Sequence, residues 1–282
     1  MNYTAYIPDY HLFIEYANTY AQLPLFPFFD VAHYIMMILA LRRDAGDGCI
    51  SLAENNPLAC WVCSMLSCFA GYILSNALLG QSLLAPFAYH LKIGIATVVW
   101  YLIFYSPADV FYKLVTSFPG KLVVGPMKEA VRARKVGLGV LQAAQVYPQG
   151  FIIMVIIGTV RGSGSAFMRF FERVLRGAWN PTQNELLNPS FTTKATILCS
   201  ILLTMETLDY IPIDAPELML MLTTFLVGFK MASIMFNVGD PLVSLEKPCR
   251  SLLFGKWFGK DAPKDEKRDE KSRKKDGKPK KE

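Results

Sequence analysis

Histidine is scarce in this chain. Only His11, His33 and His90 occur, and neither a nucleophile motif nor a glycine-rich phosphate cradle accompanies them. Acid–base, nucleophilic and nucleotide chemistry are therefore not expected, and the chain is read as a non-enzyme. Basic residues are missing from the first 23 positions, where Asp9 and Glu15 are the only acids. A secretory signal peptide opens with a basic stretch before its apolar run, so no cleavable signal is expected. Cys60 and Cys63 form a C-x-x-C, but no matching Cys/His pair accompanies it to complete a four-ligand zinc site. These thiols and Cys68 are read as small packing residues, and no metal cofactor is expected. An aromatic-basic motif is also lacking, which argues against nucleic acid as a partner.

What the chain has in quantity is apolar residues: 52% of its 282 positions are hydrophobic. Charge is concentrated at one end, since Lys256 to Glu282 hold 12 of the 29 bases and 7 of the 23 acids. Within it, Lys264 to Glu282 alternates sign among Pro and Gly without apolar residues, a composition that cannot bury enough surface to fold. Its last five residues, Lys278 to Glu282, also fit a dilysine retrieval pattern for the endoplasmic reticulum.

A membrane-crossing helix needs about 20 mostly apolar residues. Seven windows qualify, near 24 to 41, 58 to 79, 87 to 105, 121 to 146, 150 to 174, 191 to 210 and 216 to 237. Lys and Arg are retained on the cytosolic side of a membrane. The N-terminal segment and the acidic turn from Asp209 to Glu217 lack bases. Arg42, Arg43, Lys113, Arg169, Arg173, Arg176 and the tail fall on the opposite side. The expected organisation is a lumenal segment 1 to 23, a seven-helix body 24 to 241 and a cytosolic charged tail 242 to 282.

An ionised side chain at the centre of a membrane helix costs about 2.5 to 3.5 kcal/mol, so charges within the windows are candidates for function. The fourth window carries Lys128, Glu129, Arg132, Arg134 and Lys135. At about 100° per residue, Lys128, Arg132 and Lys135 share one face, and Glu129 is one turn from Arg132. The stripe suits a polar cavity that grips an anion, and a phosphoinositide headgroup has the required phosphates. The bland alternatives are an interfacial amphipathic helix or a cytosolic loop. Arg134 points elsewhere and is expected to snorkel to the cytosolic interface.

Gly71 in the second window and Gly158, Arg161, Gly162 and Gly164 in the fifth are candidate pore or hinge positions. Small residues permit either close helix approach or broken helices that line a cavity. They fall in the second helix of each successive group of three. Three is an odd number of crossings, so the expected fold is an all-α membrane protein with seven transmembrane helices, arranged as two inverted three-helix repeats plus a seventh helix. Asp30 and His33, one turn apart in the first window, are a candidate polar pair.

The pattern Lys128-Glu129-x-x-Arg132-x-x-Lys135 resembles the signature of the TRIC family, the trimeric intracellular cation channels. Phe29 to Tyr34, Pro107 with Asp109 to Lys113, Arg161 to Gly164 and Trp179-Asn180-Pro181 with Asn184-Glu185 resemble the family in the same order. The resemblance implies a homotrimer with one pore per protomer in the endoplasmic or sarcoplasmic reticulum. It implies a potassium-conducting channel that balances charge during calcium release and uptake. It further implies that glycines kink the second and fifth helices. Phosphatidylinositol 4,5-bisphosphate would be held by Lys128 and Arg132, with Lys135 beside them. A secondary transporter of a small solute shares the inverted layout and is the alternative. A seven-helix receptor is disfavoured, because the seventh window ends Asn237-Val238-Gly239-Asp240-Pro241 without an Asn-Pro-x-x-Tyr motif.

Overall fold

A computed structural model describes residues 8–45, 47–175 and 189–236. Among the described residues the chain is all-helical: α1 (Pro8–Gln22), α2 (Phe28–Ala45), α3 (Asp47–Asn55), α4 (Pro57–Leu78), α5 (His90–Tyr105), α6 (Val110–Thr116), α7 (Phe118–Val146), α8 (Phe151–Leu175), α9 (Phe191–Thr207) and α10 (Ala215–Phe236). The charged tail, Arg176, Trp179-Asn180-Pro181 and Asn184-Glu185 lie outside the described residues.

Each of the seven apolar windows coincides with one helix, α2, α4, α5, α7, α8, α9 or α10. By length and apolarity alone α4, Phe151–Val174 of α8, and α10 are sufficient to cross a membrane. α5 reaches that standard only together with the segment after it, and the two are bent by 93°. The bend has a local cause. Pro107 favours an extended Ser106, which ends α5 at φ −66° and ψ 138°. Ala108 and Asp109 then take the left-handed conformation, at φ 52° and 57°. Arg42 of α2 holds the corner. Its Nη2 donates to both carboxylate oxygens of Asp109 at 3.0 Å, its Nη1 donates to the Ile103 carbonyl, and its guanidinium lies 4.0 Å from the Tyr112 ring centroid. Arg42 is thus a buried clamp rather than an interfacial charge, while Arg43 beside it is exposed.

Two apolar cores form. One joins α2, α4 and α5 through Ile38, Leu39, Phe69, Ala96 and Ile103. The other joins α7 to α10 through Val136, Val140, Met154, Cys199 and Leu222. Polar contacts within the first core and across the seam between the two fix which helix ends lie together. The starts of α2 and α5 meet through Asp30 and Lys92 at 3.7 Å, and the ends of α4 and α7 meet through Asn76 and Gln142 at 3.0 Å. At the opposite end, Asp44 of α2 accepts from Arg173 of α8 at 2.9 Å. Outward faces stay apolar, with Leu91, Val98, Leu141, Ile152 and Phe236 exposed, as a lipid surroundings favours.

The segment before α2, which the sequence sets apart without marking it as a helix, is itself helical. Residues 8 to 22 form α1, which packs on α10 and joins it through Tyr20 Oη and Thr223 Oγ1 at 3.0 Å. Arg134 meets the end of α1. Its guanidinium donates to the carbonyls of Tyr20, Ala21 and Leu23 at 2.5, 3.0 and 2.7 Å, because the end of a helix presents unpaired carbonyls that attract a cation.

Candidate functional site

The site lies in the seam where α2, α4, α7 and α8 meet. α7 begins at Ser117, whose Oγ accepts from the Gly120 amide at 3.3 Å, and continues as one helix through Pro126. Its inward stripe holds Lys128, Arg132 and Lys135, with Glu129, Arg132 and Lys135 buried. Arg132 Nε lies 3.3 Å from Glu129 Oε2, but without hydrogen-bond alignment. Arg132 Nε and Nη1 are buried donors with no hydrogen-bond partner. Such atoms are costly to leave unmade, so Arg132 is electrostatically suited to an anionic oxygen.

Two cavities run through the seam and share three residues, Cys68, Lys135 and Arg161. The smaller, about 20 Å³, is bordered by His33, Gly71, Lys128, Arg132, Gly162 and Gly164 besides the shared three. The larger, about 310 Å³, is bordered by Asp30, Tyr72, Asn76, Gln81, Lys92 and Gln142 among others. Along α4 and α7 the lining residues advance from the smaller cavity to the larger, and along α8 the order reverses. The cavities therefore follow the helix axes, and Lys135 and Arg161 stand between them.

Groups other than carboxylates make the near contacts to both of these bases. Lys135 Nζ lies 2.8 Å from His33 Nε2 and 5.4 Å from the Tyr72 ring centroid. Arg161 donates to Gln142 Oε1 and to Ser75 Oγ at 3.1 Å, and its guanidinium carbon lies 4.0 Å from the same Tyr72 ring. Tyr72 is thus in cation–π contact with both.

The structure brings nearly all sequence-predicted site residues to these cavities, with two changes of role. Asp30 and His33 do not pair with each other. Asp30 faces Lys92, while His33 Nε2 lies 3.0 Å from the Cys68 carbonyl and close to Lys135. The two side chains are one turn apart, and their neighbouring helices supply nearer partners. The glycines do not break their helices either, since α4 and α8 each run unbroken through them. They allow contact of backbones: a Cβ on Gly164 would lie 2.4 Å from Gly71 Cα, and one on Gly71 would lie 2.3 Å from the Arg161 carbonyl oxygen. Gly158 sits apart from the cavities, where a Cβ would lie 2.3 Å from Ser200 Oγ of α9.

Tyr72, Gln142 and Lys92 are site residues that sequence reasoning missed. Gln142 carried a signal, since it continues the spacing of Lys128, Arg132 and Lys135 along one face of α7. Tyr72 carried none beyond adjacency to Gly71. Among the described residues no group of three or more His, Cys, Asp or Glu is placed to hold a metal ion.

The TRIC channel family model matches residues 46–237. Trimeric intracellular cation channel type 1B.1 of Caenorhabditis elegans is 40% identical over 251 residues, covering 88% of this chain and 85% of that protein. The solved structure of a trimeric intracellular cation channel from C. elegans with bound Ca2+ aligns with a TM-score of 0.75 at 41% identity, covering 81% of this chain and 99% of the other. A second, solved to give the structural basis for activity of TRIC counter-ion channels in calcium release, aligns with a TM-score of 0.75 at 35% identity, over 79% of this chain and 99% of the other. With the motif stripe, the seam cavities and these likenesses together, the chain belongs to the TRIC channel family, the trimeric intracellular cation channels.

Proposed function

We propose that this chain is a homotrimeric potassium channel of the endoplasmic or sarcoplasmic reticulum membrane, with one pore in each protomer, supplying counter-ion flux during calcium release and uptake. The observation that carries the reading is the pair of end-to-end cavities inside a single protomer, joined at Cys68, Lys135 and Arg161. The solved relative described as a counter-ion channel in calcium release supports the physiological part. The body, 24 to 241, crosses the membrane seven times, its two three-helix units are inverted repeats, and α10 is the seventh crossing. Residues 1 to 23 are lumenal in origin, and the tail, 242 to 282, is cytosolic. In this orientation the larger cavity faces the lumen and the smaller faces the cytosol.

Phosphatidylinositol 4,5-bisphosphate binds at the cytosolic mouth through Lys128 and Arg132, with Lys135 deeper. The unpartnered Nε and Nη1 of Arg132 favour this, because phosphate oxygens complete charge-assisted hydrogen bonds there. A space of about 20 Å³ admits little more than one water-sized group, so the side chains at the mouth must part for a phosphate. The bound headgroup offsets a basic stripe that would otherwise repel potassium. Gly71, Gly158, Gly162 and Gly164 set the helix contacts that shape the pore.

The test is the reversal potential of the purified full chain in a planar bilayer under a potassium chloride gradient, with and without the phosphoinositide. A value near the potassium limit is expected, and Lys128→Ala with Arg132→Ala should abolish the lipid dependence. A value near the chloride limit would overturn the cation reading. Absent current together with saturable uptake of a small solute would favour the transporter alternative.

A further inference from the structure

We infer that Lys135 and Arg161 form a valence filter, a pair of positive charges without a salt-bridge partner at the junction of the two cavities that passes monovalent cations and rejects divalent ones. The inference rests on the channel reading and names the side chains that set its selectivity. Lys135 and Arg161 border both cavities, so an ion moving from one to the other passes them. Neither makes an ion pair among the described residues. Their partners are the His33 ring, the Gln142 amide, the Ser75 hydroxyl and the Tyr72 ring. Arg161 Nε is buried without a partner. Among the described residues Asp30 is the one acid bordering either cavity, and its charge is shared between Lys92, at 3.7 Å, and Lys135. Glu129 faces Arg132, one turn away. A phosphoinositide would offset Lys128 and Arg132 at the mouth, whereas Lys135 and Arg161 lie deeper, where the two cavities meet.

The Coulomb free energy of an ion in a fixed field scales with its charge. Whatever factor the pair imposes against potassium is therefore squared for Ca2+ or Mg2+. Partial charges soften the barrier without removing it. The Gln142 and Ser75 oxygens and the Tyr72 ring face present negative density to the bases, which dipoles supply without a full counter-charge. The arrangement lets a small cation through a site whose net charge is positive, provided that the cation carries one charge. In a store membrane such a filter permits counter-ion flow without a calcium leak.

The experiment uses the full chain in planar bilayers under bi-ionic conditions, with potassium chloride on one side and calcium or magnesium chloride on the other. Arg161→Gln and Lys135→Met, on separate helices, should each raise the divalent-to-potassium permeability ratio by about tenfold or more. Arg161→Lys keeps the charge and should leave the ratio near that of the unaltered chain. An unchanged ratio in both neutral variants, with potassium current still measurable, overturns the filter. So does an Arg161→Lys ratio as high as that of Arg161→Gln, since packing rather than charge would then be responsible. Folded neutral variants that lose potassium conduction also overturn it, because removing positive charge should ease the passage of cations. Failure of the channel reading is separate: there the unaltered chain itself carries no potassium current.

Discussion

Lys135 Nζ of α7 and His33 Nε2 of α2 meet at 2.8 Å across the seam. The same Nε2 lies 3.0 Å from the Cys68 carbonyl of α4. One ring nitrogen cannot accept from the amine and donate to the carbonyl at once, so His33 serves one partner at a time while standing between three helices. His33→Leu keeps the volume roughly but strands either a buried amine or a buried carbonyl. A loss of about 1 to 3 kcal/mol is expected, read as a lower unfolding temperature in detergent.

The Gly71–Gly164 crossing gives a steric prediction. Gly164→Ala forces a Cβ to 2.4 Å from a backbone atom, whereas Gly228 on α10 has open space around its Cβ position. Backbone cannot move aside as a side-chain tip can, so Gly164→Ala should lose about 1 to 3 kcal/mol. Gly228→Ala should be neutral or gain up to about 1 kcal/mol through helix propensity. Thermal unfolding of the two variants side by side checks the contrast.

Arg134 ties α7 to α1 through three carbonyls. Arg134→Met removes all three donors and should release α1 from its dock while leaving the two cores intact. Amide hydrogen exchange should accelerate over residues 8 to 22 and remain slow in α4 and α8. Equal acceleration throughout would show that Arg134 supports the whole fold.

The corner after α5 isolates an ion pair. Asp109 sits at φ 57°, a conformation that Asn also tolerates, so Asp109→Asn removes the charge without straining the backbone. Asp109 is 42% exposed, and solvent screening limits the expected loss to about 1 kcal/mol. Chemical denaturation in detergent measures it.

Cys68 lies between the cavities, is buried, and has a free thiol. Silver ion is small and soft and binds thiols tightly. Applied during conduction it should block current, the block should be lost in Cys68→Ser, and Cys199→Ser should retain it, because Cys199 packs in the core of α7 to α10. Block that persists in Cys68→Ser would place the ion path elsewhere.

Much of this protein was legible one segment at a time. Apolar runs mark α2, α4, α5, α7, α8, α9 and α10 because helix burial depends on composition over about 20 neighbouring residues. The stripe Lys128, Arg132 and Lys135 is visible because residues three and four apart share a helix face whatever surrounds it. The order of these local marks along the chain is also what made the family recognisable.

Choice of partner was decided only by the tertiary structure. Asp30 and His33 look like a pair in sequence and are divided between Lys92 and Lys135. Arg134 stands off the basic stripe in sequence, and only the packing shows that it caps α1, a helix docked on α10. Gly71 and Gly164 allow either a break or a close crossing, and the crossing occurs because Gly164 meets the Gly71 backbone and Gly71 meets that of Arg161, each on the other helix. The physical reason is the same in all three cases. Hydropathy and periodicity act within a turn or two of one helix, whereas a hydrogen bond or a van der Waals contact is selected by whichever groups the packing of separate helices brings within 3 to 4 Å.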